Sequence, residues 1–234
     1  MTPLDRLYAD PVLDTVRRLE RRIGARFPER DLRRVAGELA TVVADVQTGA
    51  ADVGGRVRRA RVASRVLVAV VLVATAVLLA LGTREVLLDD GAGDGLDWVP
   101  LIESAVNDLV FAGLALWFLY SLPERMQRGE VLRLLHRLRS LAHIVDMHQL
   151  TKDPERLRDG FRRTSESVDP GLGRDEMEYY LDYCSELLSL VGKAAALCAE
   201  ESQDAVVLDT VNSIESMTSQ MSREIWQKIA LLPS

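Results

Sequence analysis

Lysine is nearly missing from this 234-residue chain: of its 29 basic residues, all but Lys152, Lys193 and Lys228 are arginine. The formal net charge is −6, which excludes a generally basic nucleic-acid-coating protein. Cysteine is scarce too. Cys184 and Cys198 stand fourteen residues apart in one predicted helix, about 21 Å along its axis at 1.5 Å per residue. That separation is beyond the reach of a disulfide, so two reduced, buried thiols are expected. Aromatic residues make up 5% of the chain, and no stretch alternates apolar and polar residues between turn signals. Strands are therefore excluded in favour of helix, which the Ala, Leu, Val, Arg and Glu content supports.

The chemical motifs are missing as well. There is no Gly-rich phosphate loop, no Cys-x-x-Cys pair, no His-Glu-x-x-His and no Gly-x-Ser-x-Gly elbow. Without them there is no positive reason to propose an enzyme, and no cofactor is implied. The charged first 60 residues, with no small-residue cleavage site behind the first apolar run, do not read as a signal peptide.

What the chain does contain is two apolar runs. Val66–Leu81 is free of charge, and with Ser64 and Arg65 before it and Gly82 and Thr83 after it the run covers 64–83. Leu101–Leu122 is apolar except for Glu103, Asn107 and Asp108 near its start. A helix crossing a hydrocarbon core needs about 20 residues. The pair predicts a transmembrane helical hairpin over 61–122, with spans at about 64–83 and 100–122.

Its flanks give a direction. Arg56, Arg58, Arg59, Arg61 and Arg65 precede the first run, and Arg125, Arg128, Arg133, Arg137 and Arg139 follow the second. The stretch between the runs carries Arg84 against Glu85, Asp89, Asp90, Asp94 and Asp97. The positive-inside rule then places both termini in the cytoplasm and the acidic loop outside, in a plasma (inner) membrane. Trp98 at one edge and Trp117, Phe118 and Tyr120 at the other stand where an aromatic belt belongs.

The flanking segments are helix-periodic. Residues 1–60 hold two amphipathic helices. Val12, Leu13, Val16, Leu19, Ile23 and Phe27 mark the first; Leu32, Val35, Leu39, Val42, Val43 and Val46 mark the second, which weakens at Gly49, Gly54 and Gly55. Such faces suit either the protein's own helices or a membrane surface, and polar faces that mix Arg with Glu and Asp favour the former. Residues 123–234 predict a helical bundle. Pro123 predicts a kink on leaving the second run. Asp153 with Pro154, and later Asp204, are helix-start signals. Two closing helices repeat apolar residues at three and four, from Met177 to Cys198 and from Val207 to Ile229, and a short connection makes them antiparallel. The expected fold is all-α: an integral membrane hairpin joined to a cytosolic antiparallel bundle.

Four clusters invite a closer reading. Arg84, Glu103, Ser104, Asn107 and Asp108 form a polar group at one end of the hairpin, where an Arg84–Glu103 pair fits the antiparallel geometry. Asp108 sits about 7.5 Å deeper along the helix. Intramembrane carboxylates are disfavoured unless they meet a partner, water or an ion, so a polar ring in an oligomeric conduit is one reading. A slab that begins near Leu109, leaving these groups wet, is the other. His143, Asp146 and His148 share one helix, but their spacing matches no zinc motif, and His148 also continues an apolar seam. Asp175, Glu178, Asp182 and Glu186 form an acidic stripe that reads as a solvated face or as ion-paired within the chain, with Arg158, Arg162, Arg163 or the Arg-rich N-terminal helices as partners. Ser213, Ser216, Thr218, Ser219 and Ser222 make the last helix rich in hydroxyls, as helix–helix contacts permit.

These features point to a non-enzymatic two-pass membrane protein that acts through self-assembly and partner binding, as an ion-conducting or signalling effector. Its partners would be the lipid bilayer, further copies of itself and a cytosolic protein, with no nucleic acid. A passive membrane-anchored scaffold is the competing class, and a metal enzyme using His143, Asp146 and His148 is a third.

Overall fold

A computed structural model describes residues 6–88, 99–158, 160–162, 164–167, 171–200 and 202–233. Side chains are described for these except 49–61, 78–79, 82–83, 85–88, 99–102, 104–105, 108 and 122–124. The acidic loop, Trp98, Ser104 and Asp108 therefore fall, wholly or in their side chains, outside the description. The elements are α1 (Ala9–Arg26), α2 (Leu32–Leu88), α3 (Val99–Leu150), a 3-10 turn (Pro154–Leu157), α4 (Arg174–Ala199) and α5 (Ala205–Ala230). No strand occurs among the described residues, so the fold is all-α.

Two compact units divide the chain. One joins Met1–Ala50 to Arg128–Ser234; the other is Ala51–Gln127. The first unit has a single apolar core. Helix α1 contributes Val12, Val16, Leu19 and Ile23, and the start of α2 contributes Leu32, Leu39 and Val43. Leu135, Leu138 and Val145 come from α3, Met177 to Cys198 from α4, and Val207, Val211, Ile214 and Ile225 from α5. Polar contacts orient these elements. Arg22 Nη1 donates to both Glu186 oxygens, at 2.7 and 3.0 Å, Arg137 reaches Asp45 at 2.6 Å, and Arg26 lies 3.6 Å above the Tyr179 ring. Part of the acidic stripe thus meets the N-terminal helix, while Arg174 on its own helix takes Asp175 and Glu178.

Helix α5 crosses α4 closely. A Cβ added at Gly192 would lie 3.1 Å from Thr218 Oγ1, and the Ser185 and Ser222 hydroxyls bond at 2.6 Å. The small hydroxyl residues of α5 are thus used in part inside the unit. Both aspartate caps form: Asp153 accepts from the Glu155 N–H, and Asp204 from the N–H groups of Val206 and Val207. Only a single 3-10 turn follows Asp153, shorter than the helix expected there.

Helix α2 runs without interruption through Gly49, Gly54 and Gly55, where the sequence weakens it, and α3 continues through Pro123 as one helix. A helical glycine costs about 1 kcal/mol and removes no hydrogen bond. Extending a formed helix is far easier than nucleating a second one.

In the second unit, the one buried residue among those described is Ser64. Its Oγ donates to the Leu119 carbonyl at 2.7 Å, tying α2 to α3. The half-buried positions form two matching stripes, Ser64, Val68, Val71 and Thr75 on α2 and Ala112, Leu116 and Leu119 on α3. The remaining described side chains are exposed apart from Ser121 and Gln127. Ala76, Ala80 and Gly113, small residues suited to close packing, lie off this seam and are exposed. Among the described residues no helix is long and apolar enough to cross a membrane. The helical architecture matches the expectation; a bilayer-crossing hairpin is not established by these residues.

Candidate functional site

The densest group of perturbed side chains lies at the C-terminal end of α3. Gln149, the penultimate residue of that helix, is 1% exposed. Carbonyls at a helix end have no intrahelical donor, and here two donors are supplied. The Lys152 N–H reaches Gln149 O at 3.0 Å, and the Lys228 ammonium of α5 reaches it at 3.2 Å. Lys228 also donates to Gln149 Oε1 at 2.5 Å, and Gln149 Nε2 donates to Asp146 Oδ1 at 2.7 Å. A cation at a helix C-terminus also complements the macrodipole.

Lys152 is buried beside this knot. Its ammonium donates to Thr151 Oγ1 at 2.8 Å and lies 5.2 Å from the centre of the Tyr180 ring. Tyr180 meets Phe27 edge-on with centroids 5.4 Å apart, and its hydroxyl stands 3.4 Å from His148 Nδ1, a long contact. Burial holds Lys152 and Lys228 below the ordinary lysine value, and Arg30 lowers Lys152 further. Burial pushes the Cys184 thiol up to about 12 against the opposing pull of both lysines. It raises the Tyr180 phenol and lowers His148 in the same way. Chemically, the group neutralises a helix end and ties α3, α4 and α5 together.

The residues singled out by the sequence are distributed differently. His148 belongs to this junction, as its place on the apolar seam suggested. His143 is exposed, and the Asp146 carboxylate is engaged by Gln149. The three do not converge, and no group of three His, Cys, Asp or Glu side chains suited to a metal ion occurs among the described residues. In the second unit Arg84, Glu103 and Asn107 are exposed, while the side chains of Ser104 and Asp108 lie outside the description. Lys152 and Lys228 were missed as a pair because 76 positions separate them. Their signal was the rarity of lysine itself: two of the three lysines in an arginine-rich chain bond to the same buried residue, Gln149, one through its backbone N–H and one through its ammonium.

No protein-family model, no curated protein and no solved structure matches the chain.

Proposed function

We propose that the chain is a two-pass protein of the plasma (inner) membrane whose hairpin, residues 64–83 and 100–122, lies in lipid with both termini cytoplasmic. It works without catalysis, by self-assembly and by binding a protein partner through its helical bundle. One observation carries the reading. Between Val62 and Tyr120, sixteen large apolar side chains are exposed, against eight in the whole of the larger unit among the described residues. Burying such a side chain is worth about 1.5–3 kcal/mol. Leaving sixteen half-bare in water forfeits a sum comparable with the roughly 5–15 kcal/mol net stability of an ordinary domain. The narrow Ser64 seam covers one stripe of each helix, and the other faces need an apolar solvent, which lipid or further copies provide. The arginine flanks and acidic loop support the orientation. Ile144, Met147 and Leu150, exposed at intervals of three on α3, support a partner surface on the bundle.

The test is the mass of the full-length chain in lipid nanodiscs together with ion flux through proteoliposomes. Assembly predicts a defined oligomer. If that oligomer conducts, Glu103→Gln and Asp108→Asn alter the flux; an oligomer without flux leaves assembly and partner binding as its work. A strict monomer contradicts the self-assembly reading.

A further inference from the structure

The arginines around the α1–α2 corner divide into two sets. Four have partners: Arg22 on Glu186, Arg26 on the Tyr179 ring and Arg30 on the Gly171 carbonyl tie elements together, and Arg34 pairs locally with Asp31. Arg17, Arg18, Arg21 and Arg33 have no such partner among the described residues. Three of these, Arg17, Arg21 and Arg33, line one concavity of about 370 Å³ with Glu20 and Gly24. That volume is within the range of small-ligand sites.

The concavity follows from the local sequence. Arg17 and Arg21 are four apart on α1 and so share a face one turn from each other. Gly24, one turn further, lets the Arg33 side chain lie against α1: a Cβ there would come within 3.0 Å of Arg33 Cδ and 3.1 Å of its Nε. Arg33 is thereby brought beside the α1 pair from the first turn of α2. The one acid, Glu20, has its carboxylate against Gly37 of α2, 3.6 Å from where a Cβ at that glycine would stand. Three guanidiniums against one carboxylate make a local positive site on a chain whose net charge is −6. Guanidinium forks match phosphate oxygens in pairs and carry their charge at every physiological pH.

We infer that Arg17, Arg21 and Arg33 form a binding site for a phosphoryl group, presented either on a soluble phosphate compound or as the headgroup of an anionic phospholipid. Glycine at 24 sets the site's geometry, because it seats the third guanidinium. The inference does not depend on the membrane reading, since the site lies wholly within the larger unit.

The experiment titrates full-length chain in neutral detergent micelles with inorganic pyrophosphate, then repeats the titration with phosphatidylglycerol doped into the micelles. Saturable binding of either probe is expected. Competition by phosphatidylglycerol identifies a headgroup site, and binding of pyrophosphate alone identifies a soluble ligand. Arg21→Gln should weaken binding by about tenfold, the loss of one charge-assisted contact. Arg18→Gln removes the same charge from the same helix outside the concavity and should leave the affinity within about twofold. Gly24→Leu retains every charge, improves helix propensity and displaces Arg33 from its seat; it should weaken binding by about tenfold, as loss of one contact does, while the chain stays folded by circular dichroism. Failure of wild type to bind either probe, equal losses for Arg18→Gln and Arg21→Gln, or wild-type affinity in Gly24→Leu would each overturn the assignment.

Discussion

Lys228 caps α3 from another helix, its ammonium 3.2 Å from the backbone oxygen and 2.5 Å from the side-chain oxygen of Gln149. Lysine at 228 therefore has a structural role, whereas Lys152, the more buried of the two, has no carboxylate partner among the described residues and stands close to the charges of Arg30 and Arg156. Opposite outcomes follow for the same substitution. Lys228→Met leaves the buried Gln149 side-chain oxygen without its donor and should cost about 1–3 kcal/mol. Lys152→Met removes a poorly compensated buried charge and should be neutral or stabilising by about 1 kcal/mol. Urea unfolding of the two variants measures the difference.

The two thiols make the fold sensitive to alkali. Burial raises Cys184 and Cys198 from 9.0 to about 12 in the folded chain. The folded state then holds protons that the unfolded chain releases, so the thiol contribution is fully present below pH 9 and is lost as pH rises toward 12. Stability should fall across that window, at most about 1.4 kcal/mol per pH unit for each thiol. Cys184→Ala and Cys198→Ala should each flatten the slope. A thiol reagent applied at pH 8 should label neither cysteine until the chain is unfolded, which a spectrophotometric titration reads directly.

Apolar packing should outweigh the visible ion pairs. Tyr180 is 2% exposed and stacks edge-on with Phe27, so Tyr180→Ala should cost about 3–5 kcal/mol. The Arg22–Glu186 pair has side chains 48% and 35% exposed, where solvent screens most of its attraction, and Glu186→Gln should cost no more than about 1 kcal/mol. Thermal unfolding ranks the two.

The hairpin seam has its own test. Ser64 is covered by protein and bonded to Leu119 O, while Ala112 is half-buried on the matching stripe. Ser64→Ala removes one interhelical hydrogen bond, worth roughly 0.6 kcal/mol between helices in lipid. Ala112→Leu adds bulk to the seam and should cost about 1–3 kcal/mol. Gly113→Leu, where an added Cβ meets nothing within 4 Å, should be tolerated. The midpoint of unfolding in a graded sodium dodecyl sulfate titration separates the three.

Local rules made most of the bundle legible. The three-four spacing of Met177, Leu181, Cys184, Leu188 and Val191 places every one of them in the core. Asp153 and Asp204 cap where their side-chain chemistry indicates. Gly54 and Gly55 misled because a glycine penalty of about 1 kcal/mol weakens a helix without stopping it. Long-range pairing was hidden: the Lys228–Gln149 cap spans 79 residues and Ser64–Leu119 spans 55, and no local pattern encodes which side chains meet across such distances. The arginine concavity was hidden for a related reason. Nothing in the sequence tells Arg17 and Arg21 from the other arginines of α1, and only Gly24 and the turn into α2 bring Arg33 beside them.

Phase partition is the most direct test of where the apolar helices lie. Full-length chain extracted from cells and warmed in Triton X-114 should enter the detergent phase, and its membrane-bound form should resist alkaline carbonate. Recovery in the aqueous phase as a monodisperse, detergent-free protein would contradict a lipid-embedded hairpin and, with it, the proposed assembly in the membrane.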